Sequence, residues 1–206
     1  MKSSDYSISL ILSYILHPLL IPTIATSTLM LQPDLYPIVV PVAFKLWLVS
    51  IIIVFTIVIP ASSMFILLKF NAINSIEQKN RRERTIPLLI ASTSYIGLLV
   101  FMKPANIPPV IMYLLYSATF ALLTGLLINL VYKISLHTLG WGAFTTTIIS
   151  ISIHLGMPLM PFILISILLA GFAGFARLKQ NAHNQTQVYL GYVAGVCVVI
   201  LISFLS

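Results

Sequence analysis

The chain has 206 residues, 59% of them hydrophobic and only 7% charged. A soluble domain carries about 25% charged residues; a surface this poor in charge excludes a water-soluble globule and makes lipid the solvent. The net charge of +7 is gathered in a few short stretches rather than spread, which suits anionic headgroups or phosphate and speaks against a nucleic-acid partner.

In chain order, apolar stretches near 20 residues long predict transmembrane helices over about 8–31, 43–68, 87–103, 109–132, 137–156, 158–175 and 188–205. The expected fold is an all-α polytopic transmembrane helix bundle of seven spans, six being the next count, in a single domain over 1–206. With every backbone group needing a partner in hydrocarbon and no alternating strand pattern, helices are the only solution. The first run starts with only Lys2 as a positive flank and lacks a small-x-small cleavage site, so it is expected to stay as a span. His17, before Pro18, marks a break in it and reads either as a hydrogen-bonded residue of a bent helix or as a functional histidine. Pro60 interrupts the second span, and Lys45 and Trp47 near its start look like interfacial anchors. Pro87 is expected to restart the apolar run after a polar loop over 70–87. The fifth span holds Thr145, Thr146, Thr147 and Ser150, hydroxyls that bond back to their own helix or across to another. His154 near the opposite face reads as structural. Gly191 and Gly195 make a small-xxx-small pair suited to close packing within the bundle. Cys197 is the only cysteine, so no intrachain disulfide forms.

Three polar breaks follow the second, fourth and sixth spans: EQKNRRERTIP at 77–87, KISLH at 133–137 and GFAGFARLKQNAHNQTQ at 171–187. Each pair of spans returns the chain to the side it left. All three breaks therefore share one face, with the N-terminus.

That face gathers Lys79, Arg81, Arg82, Arg84, Lys133, Arg177, His137 and His183. Forked guanidinium donors match phosphate oxygens. Two imidazoles beside fixed cations suit phosphoryl transfer, one attacking phosphorus and one protonating the leaving oxygen. Gln187, four residues after His183, is placed to accept a proton from one imidazole nitrogen and leave the other to attack. Ser135 offers a hydroxyl, and the amides of 135–137 at a helix start offer further donors. The same basic loop also reads as a positive-inside signal and headgroup anchor.

The pattern resembles the type 2 phosphatidic acid phosphatase superfamily over about 70–200. Arg177-x5-His183-x3-Gln187 resembles its Ser-Arg-x5-His-x3-Asp motif, Ile134-Ser135-Leu136-His137 its Pro-Ser-Gly-His motif, and the stretch from Lys79 to Pro87 a loosened Lys-x6-Arg-Pro. The resemblance implies His183 as nucleophile forming a phosphohistidine, His137 as general acid, and Lys79, Arg84, Ser135 and Arg177 as phosphate ligands, with no metal or other cofactor. The chain departs from the motifs in several places. Gln187 stands for Asp and has no charge to offset an imidazolium. Leu136 replaces Gly. Lys79 and Arg84 are separated by four residues instead of six.

The expected activity is hydrolysis of a lipid phosphate or diphosphate, with polyprenyl diphosphate, phosphatidic acid, phosphatidylglycerophosphate or lipid A as candidates. The alternatives are a non-catalytic anionic-lipid binder or small transporter, and a prenyltransferase suggested by Asn71-Ala72-Ile73-Asn74 but short of the aspartates that hold Mg²⁺. The bilayer is the expected partner; nothing in the sequence sets an oligomeric state. All Lys and Arg except Lys45 and Lys103 fall on the candidate face, which by the positive-inside rule is cytoplasmic; the family resemblance instead implies a bacterial inner-membrane protein with an extracytoplasmic site.

Overall fold

A computed structural model describes residues 3–32, 40–75 and 80–204. The expected Lys79 contact, along with Asp34 and Glu77, lies outside the described residues. Among the described residues, nine α-helical segments run in order: α1 (Ser3–Ile15), α2 (Ile21–Met30), α3 (Val42–Ile53), α4 (Ile59–Lys69), α5 (Arg81–Met102), α6 (Pro109–Asn129), α7 (Leu136–Leu155), α8 (Met160–Lys179) and α9 (Gln185–Ser203). Among the described residues, six passes are long and apolar enough to cross a membrane: α1 with α2, α3 with α4, then α5, α6, α8 and α9. Large apolar side chains face outward, among them Phe65, Ile153, Leu168 and Leu201. The chain is an all-α integral membrane protein.

α7 is the seventh long helix and sits at the centre, packed by α9, α8 and α6. Its threonines and serines lower its hydropathy. Protein rather than lipid surrounds it, and Thr146 and Thr147 donate back to the carbonyls of Gly142 and Ala143 at 2.9 and 2.8 Å. Such bonds keep hydroxyls satisfied without an outside partner.

Prolines shape the first two passes. Before Pro18 the chain breaks, and His17 caps a short 3-10 turn, its Nδ1 accepting from the Leu19 N–H at 3.3 Å. Between α3 and α4 the helix widens into a π turn at Val54–Val58. Pro60 has no N–H for the Phe55 carbonyl, and Ser94 of α5 donates to that carbonyl instead at 2.6 Å. An inserted partner of this kind is a known cause of helix irregularity. Lys45 is more than an interfacial anchor: its Nζ donates to the Met30 carbonyl at 2.9 Å, closing the C-terminus of α2.

Two boundaries differ from the sequence expectation. α5 starts at Arg81, not Pro87, so the basic stretch is helix and Pro87 lies inside it. Proline this near an N-terminus frees only the Glu83 carbonyl. α8 continues to Lys179 and carries Arg177 on its last turn.

The two ends of the bundle are distinct. Met30, Leu48, Met102, Ile107, Ile111 and Leu159 share one core at the end holding the 103–108 and 156–159 turns. At the other end the three polar breaks meet. Close approach of α7 to α9 brings two of them together. A Cβ on Gly191 would stand 2.5 Å from the Ser135 carbonyl, and one on Gly195 2.7 Å from the Ala143 nitrogen. With only hydrogens there, the Ser135 N–H reaches the Gln187 carbonyl at 3.0 Å and Thr138 Oγ1 donates to the Val188 carbonyl at 2.8 Å.

Candidate functional site

Each candidate side chain is placed by a local helix-end device. α8 ends with Asn181 in the left-handed region at φ 51°. The Asn181 and Ala182 amides return to the Leu178 and Arg177 carbonyls at 3.0 and 3.2 Å, the pattern that satisfies a helix C-terminus. Two residues later Asn184 caps α9, its Oδ1 accepting from the Gln187 N–H at 2.9 Å, and Gln187 Oε1 accepts from the Asn184 N–H at 3.4 Å. This reciprocal pair is a capping box. It holds His183 just outside the helix, buried at the turn.

The same Gln187 Oε1 lies 2.9 Å from His183 Nδ1. An oxygen that accepts from a main-chain N–H is identified as oxygen, so Nδ1 carries the hydrogen. On the other side of the ring, Nε2 lies 3.3 Å from Arg84 Nη2, which can only donate. Both partners select the neutral Nδ1–H tautomer with a lone pair on Nε2. Burial, then the Arg84 charge, holds the imidazole well below its ordinary 6.5, at about 3, against the opposing hydrogen bond to Gln187. The contact with Gln187 agrees with the sequence expectation. The other ring nitrogen is not bare, as expected, but covered by Arg84.

Arg84 reaches this position because α5 starts early. Arg81, Arg84, Thr85 and Leu88 then lie on one face. The Arg81 guanidinium donates to the Leu130 carbonyl, and Asn129 Nδ2 donates to the Arg81 carbonyl and Thr85 Oγ1 at 3.1 and 3.3 Å. Glu83, on the outer face, accepts from Asn74 and Asn80 at 2.8 and 3.4 Å. Arg84 is buried, and its Nη1 donates to the Ile134 carbonyl at 3.3 Å. Burial, then the Arg84 and Arg177 charges, pulls Lys133 below the usual lysine range.

Ser135 departs from expectation. It is fully buried, its Oγ accepts from the Thr138 N–H at 3.4 Å as the cap of α7, and its own N–H goes to Gln187. The hydroxyl expected to meet phosphate instead caps α7, and the Ser135 amide joins α7 to α9.

His137 lies on the first turn of α7, with its Nε2 3.1 Å from the Ser13 carbonyl and 3.4 Å from Ser13 Oγ. A carbonyl accepts only, so Nε2 is the protonated nitrogen. The His17 ring meets it edge-on at 5.1 Å. Arg177 Nη1 donates to Ser13 Oγ at 2.9 Å and Gln180 Oε1 at 3.0 Å, and Gln180 Nε2 donates to the Ser9 carbonyl at 2.6 Å. The first span therefore closes one side of the site through Ser13, touching both His137 and Arg177. Sequence reasoning missed Ser13 and Gln180. His17, read as a helix-break residue or a functional one, both caps the break and faces His137.

Arg84, Lys133, His137, Arg177 and His183 all line one cavity of about 910 Å³. Its polar end holds these groups. Its remainder runs between the helices past Leu88, Ala118 and Leu139 to Leu114 and Thr147. The arrangement offers a neutral imidazole lone pair within reach of fixed cations at the head of an apolar chamber. No protein-family model, curated protein or solved structure matches the chain, so the reading of this site rests on its own residues.

Proposed function

We propose that the chain is a metal-independent phosphatase of lipid phosphates or diphosphates, a divergent membrane member of the type 2 phosphatidic acid phosphatase superfamily, acting through a phosphohistidine. The observation that carries this reading is the division of labour on His183. Nδ1–H is held by Gln187, and the Nε2 lone pair faces a cavity with Arg84, Lys133 and Arg177 on its wall.

In the first step the Nε2 lone pair attacks phosphorus, the N–P bond forms and the P–O bond to the lipid breaks. The leaving oxygen takes a proton from Nδ1 of His137, which enters the cycle as the imidazolium and becomes neutral with Nε2–H still on the Ser13 carbonyl. Arg84 turns from Nε2 to a phosphoryl oxygen, and Arg177 and Lys133 hold the others; such preset donors act where charge develops. In the second step water attacks the phosphohistidine, its proton passes to His137, and the N–P bond breaks to release phosphate and neutral His183. The His137 Nε2–H is already engaged by Ser13, so Nδ1 serves both transfers.

The substrates in this reading are polyprenyl diphosphate, phosphatidic acid, phosphatidylglycerophosphate or lipid A, met in a bacterial inner membrane from its extracytoplasmic side. Phosphate release from a panel of these lipids by purified protein, with and without chelator, tests the reading. Release that survives chelator is expected; no release from any of them refutes it.

Two features favour a non-catalytic anionic-lipid binder or small transporter as the second reading: Arg84 covers Nε2, and Gln187 cannot neutralise an imidazolium. In serine-protease triads the equivalent Asp-to-amide change costs about 10⁴ in kcat. Lipid binding without phosphate release, unchanged in Gln187→Asp, is the outcome that selects this reading.

A further inference from the structure

The cavity is far larger than a phosphate needs. Its 910 Å³ stands near the top of the roughly 300–1,000 Å³ range of small-molecule sites, and past the cationic end its walls are apolar. Its lining extends along α7 from His137 to Thr147, a depth of about 15 Å at 1.5 Å per residue and half of a hydrocarbon core of roughly 30 Å. The deep wall is interior: Leu114, Ala121, Ala143 and Thr147 are almost fully buried.

The flank is different. α1 packs on α8 and α4 on α5, and residues of both α1 and α4 line the cavity, which points to a seam between the two. Tyr14 and Phe65, 70% and 65% exposed on the outer surface, line the cavity from either side of that seam. An apolar chamber in a membrane, headed by cations and reached from the side, fits an amphiphile better than a soluble anion.

We infer that the cavity takes one linear apolar chain of the phosphate-bearing ligand into the bundle, entering through the α1–α4 seam, and thereby selects chain length. This rests on the phosphate reading of the polar end. A chain of about 12 carbons, at roughly 1.3 Å per bond along its extended axis, fills the depth; C–C bonds are about 1.5 Å long. The occupant is a saturated or an isoprenoid chain with a terminal phosphate, and any second chain of the same lipid stays in the bilayer outside the seam. Ala118 on α6 and Ala91 on α5 are the small residues whose enlargement narrows the chamber midway.

The test measures binding and hydrolysis of butyl, octyl, dodecyl, hexadecyl and farnesyl phosphate by the full chain in nanodiscs. Binding is read on His183→Ala, so that it does not depend on turnover, and compared with the same background carrying Ala118→Phe. Affinity is expected to rise to dodecyl and then level off, and Ala118→Phe is expected to lower the dodecyl-to-butyl ratio at least tenfold in both binding and kcat/KM. Ala91→Leu, from the opposite wall, is expected to lower the same ratio, which covers a folding defect in the first variant. A preference between dodecyl and farnesyl phosphate names the chain type. A ratio unmoved by both variants, or affinity independent of chain length, overturns the inference. Chain-dependent binding with no phosphate release from any ligand leaves the channel standing and overturns the phosphatase reading alone.

Discussion

Arg84 Nη2 stands 3.3 Å from His183 Nε2, so the ring nitrogen that Gln187 leaves with a lone pair faces a guanidinium 99 residues away in sequence. The contact places a forked donor where a phosphoryl oxygen arrives when Nε2 meets phosphorus. Arg84→Ala is expected to lower kcat for phosphate release by about 10²–10³, the usual effect of removing one preset donor, with folding checked by thermal melting in detergent. Arg84→Lys is expected to restore little, because a point charge does not reproduce the fork.

The acid limb of the pH profile follows from the His183 environment. The attacking form is neutral, and with the proton held only below about 3 it persists through the range where an ordinary histidine protonates near 6.5. Falling pH therefore depletes the nucleophile only well below the usual histidine range. Burial is the larger cause and Arg84 the second, so Arg84→Gln is expected to move the acid limb of kcat/KM upward part of the way. Gln187→Glu moves it the same way by adding a negative charge at Nδ1–H. Variant-to-wild-type ratios cancel the substrate's own titration near pH 6. A limb that stays in place in both variants contradicts the assignment.

Ser135 is buried in the α7–α9 joint, and its variant separates a cap from a ligand. Ser135→Ala is expected to destabilise the protein by about 1 kcal/mol, the usual value of a lost N-cap, and to leave KM for lipid phosphate near wild type. A large rise in KM without loss of stability is the result expected of a direct phosphate contact instead.

Gly195 tests the link from packing to site. A methyl there meets the Leu139 carbonyl and the Ala143 nitrogen, and overpacking costs about 1–3 kcal/mol. Gly195→Ala is expected to lower the melting temperature and to reduce activity, because the Ser135–Gln187 bond between the two helix starts opens with them.

His137 is expected to matter in proportion to the leaving group. His137→Ala should slow hydrolysis of an alkyl phosphate by about 10²–10⁴, the range of general acid catalysis. With p-nitrophenyl phosphate, whose phenolate leaves without a proton, the loss should be much smaller. Equal losses on both substrates assign His137 to positioning.

The helical passes and the meeting of the polar breaks at one end were legible in the sequence, because membrane span length and chain parity are blunt constraints. α7 was legible as a long helix, but its hydroxyls, held in a protein-lined centre, leave it outside the six passes apolar enough to cross a membrane. The early start of α5 was not legible: Pro87 looks like a boundary, and only tertiary bonds from Asn129 and to Ile134 make the basic turns helical and inward-facing. The His183–Gln187 contact was legible because it is local. The roles of Ser13 and His17 were not, because they touch a helix more than a hundred residues away with no periodicity to announce it. Ser135 was misplaced for the same reason, its amide being claimed by Gln187 across the α7–α9 contact.

Covalent trapping tests the central claim most directly. Protein turned over on a ³²P-labelled lipid phosphate, quenched in alkali to preserve phosphohistidine and digested for mass spectrometry, is expected to carry the label on His183. His183→Ala is expected to carry no label and to release no phosphate. Full phosphate release by His183→Ala, or label on a different residue, contradicts the account.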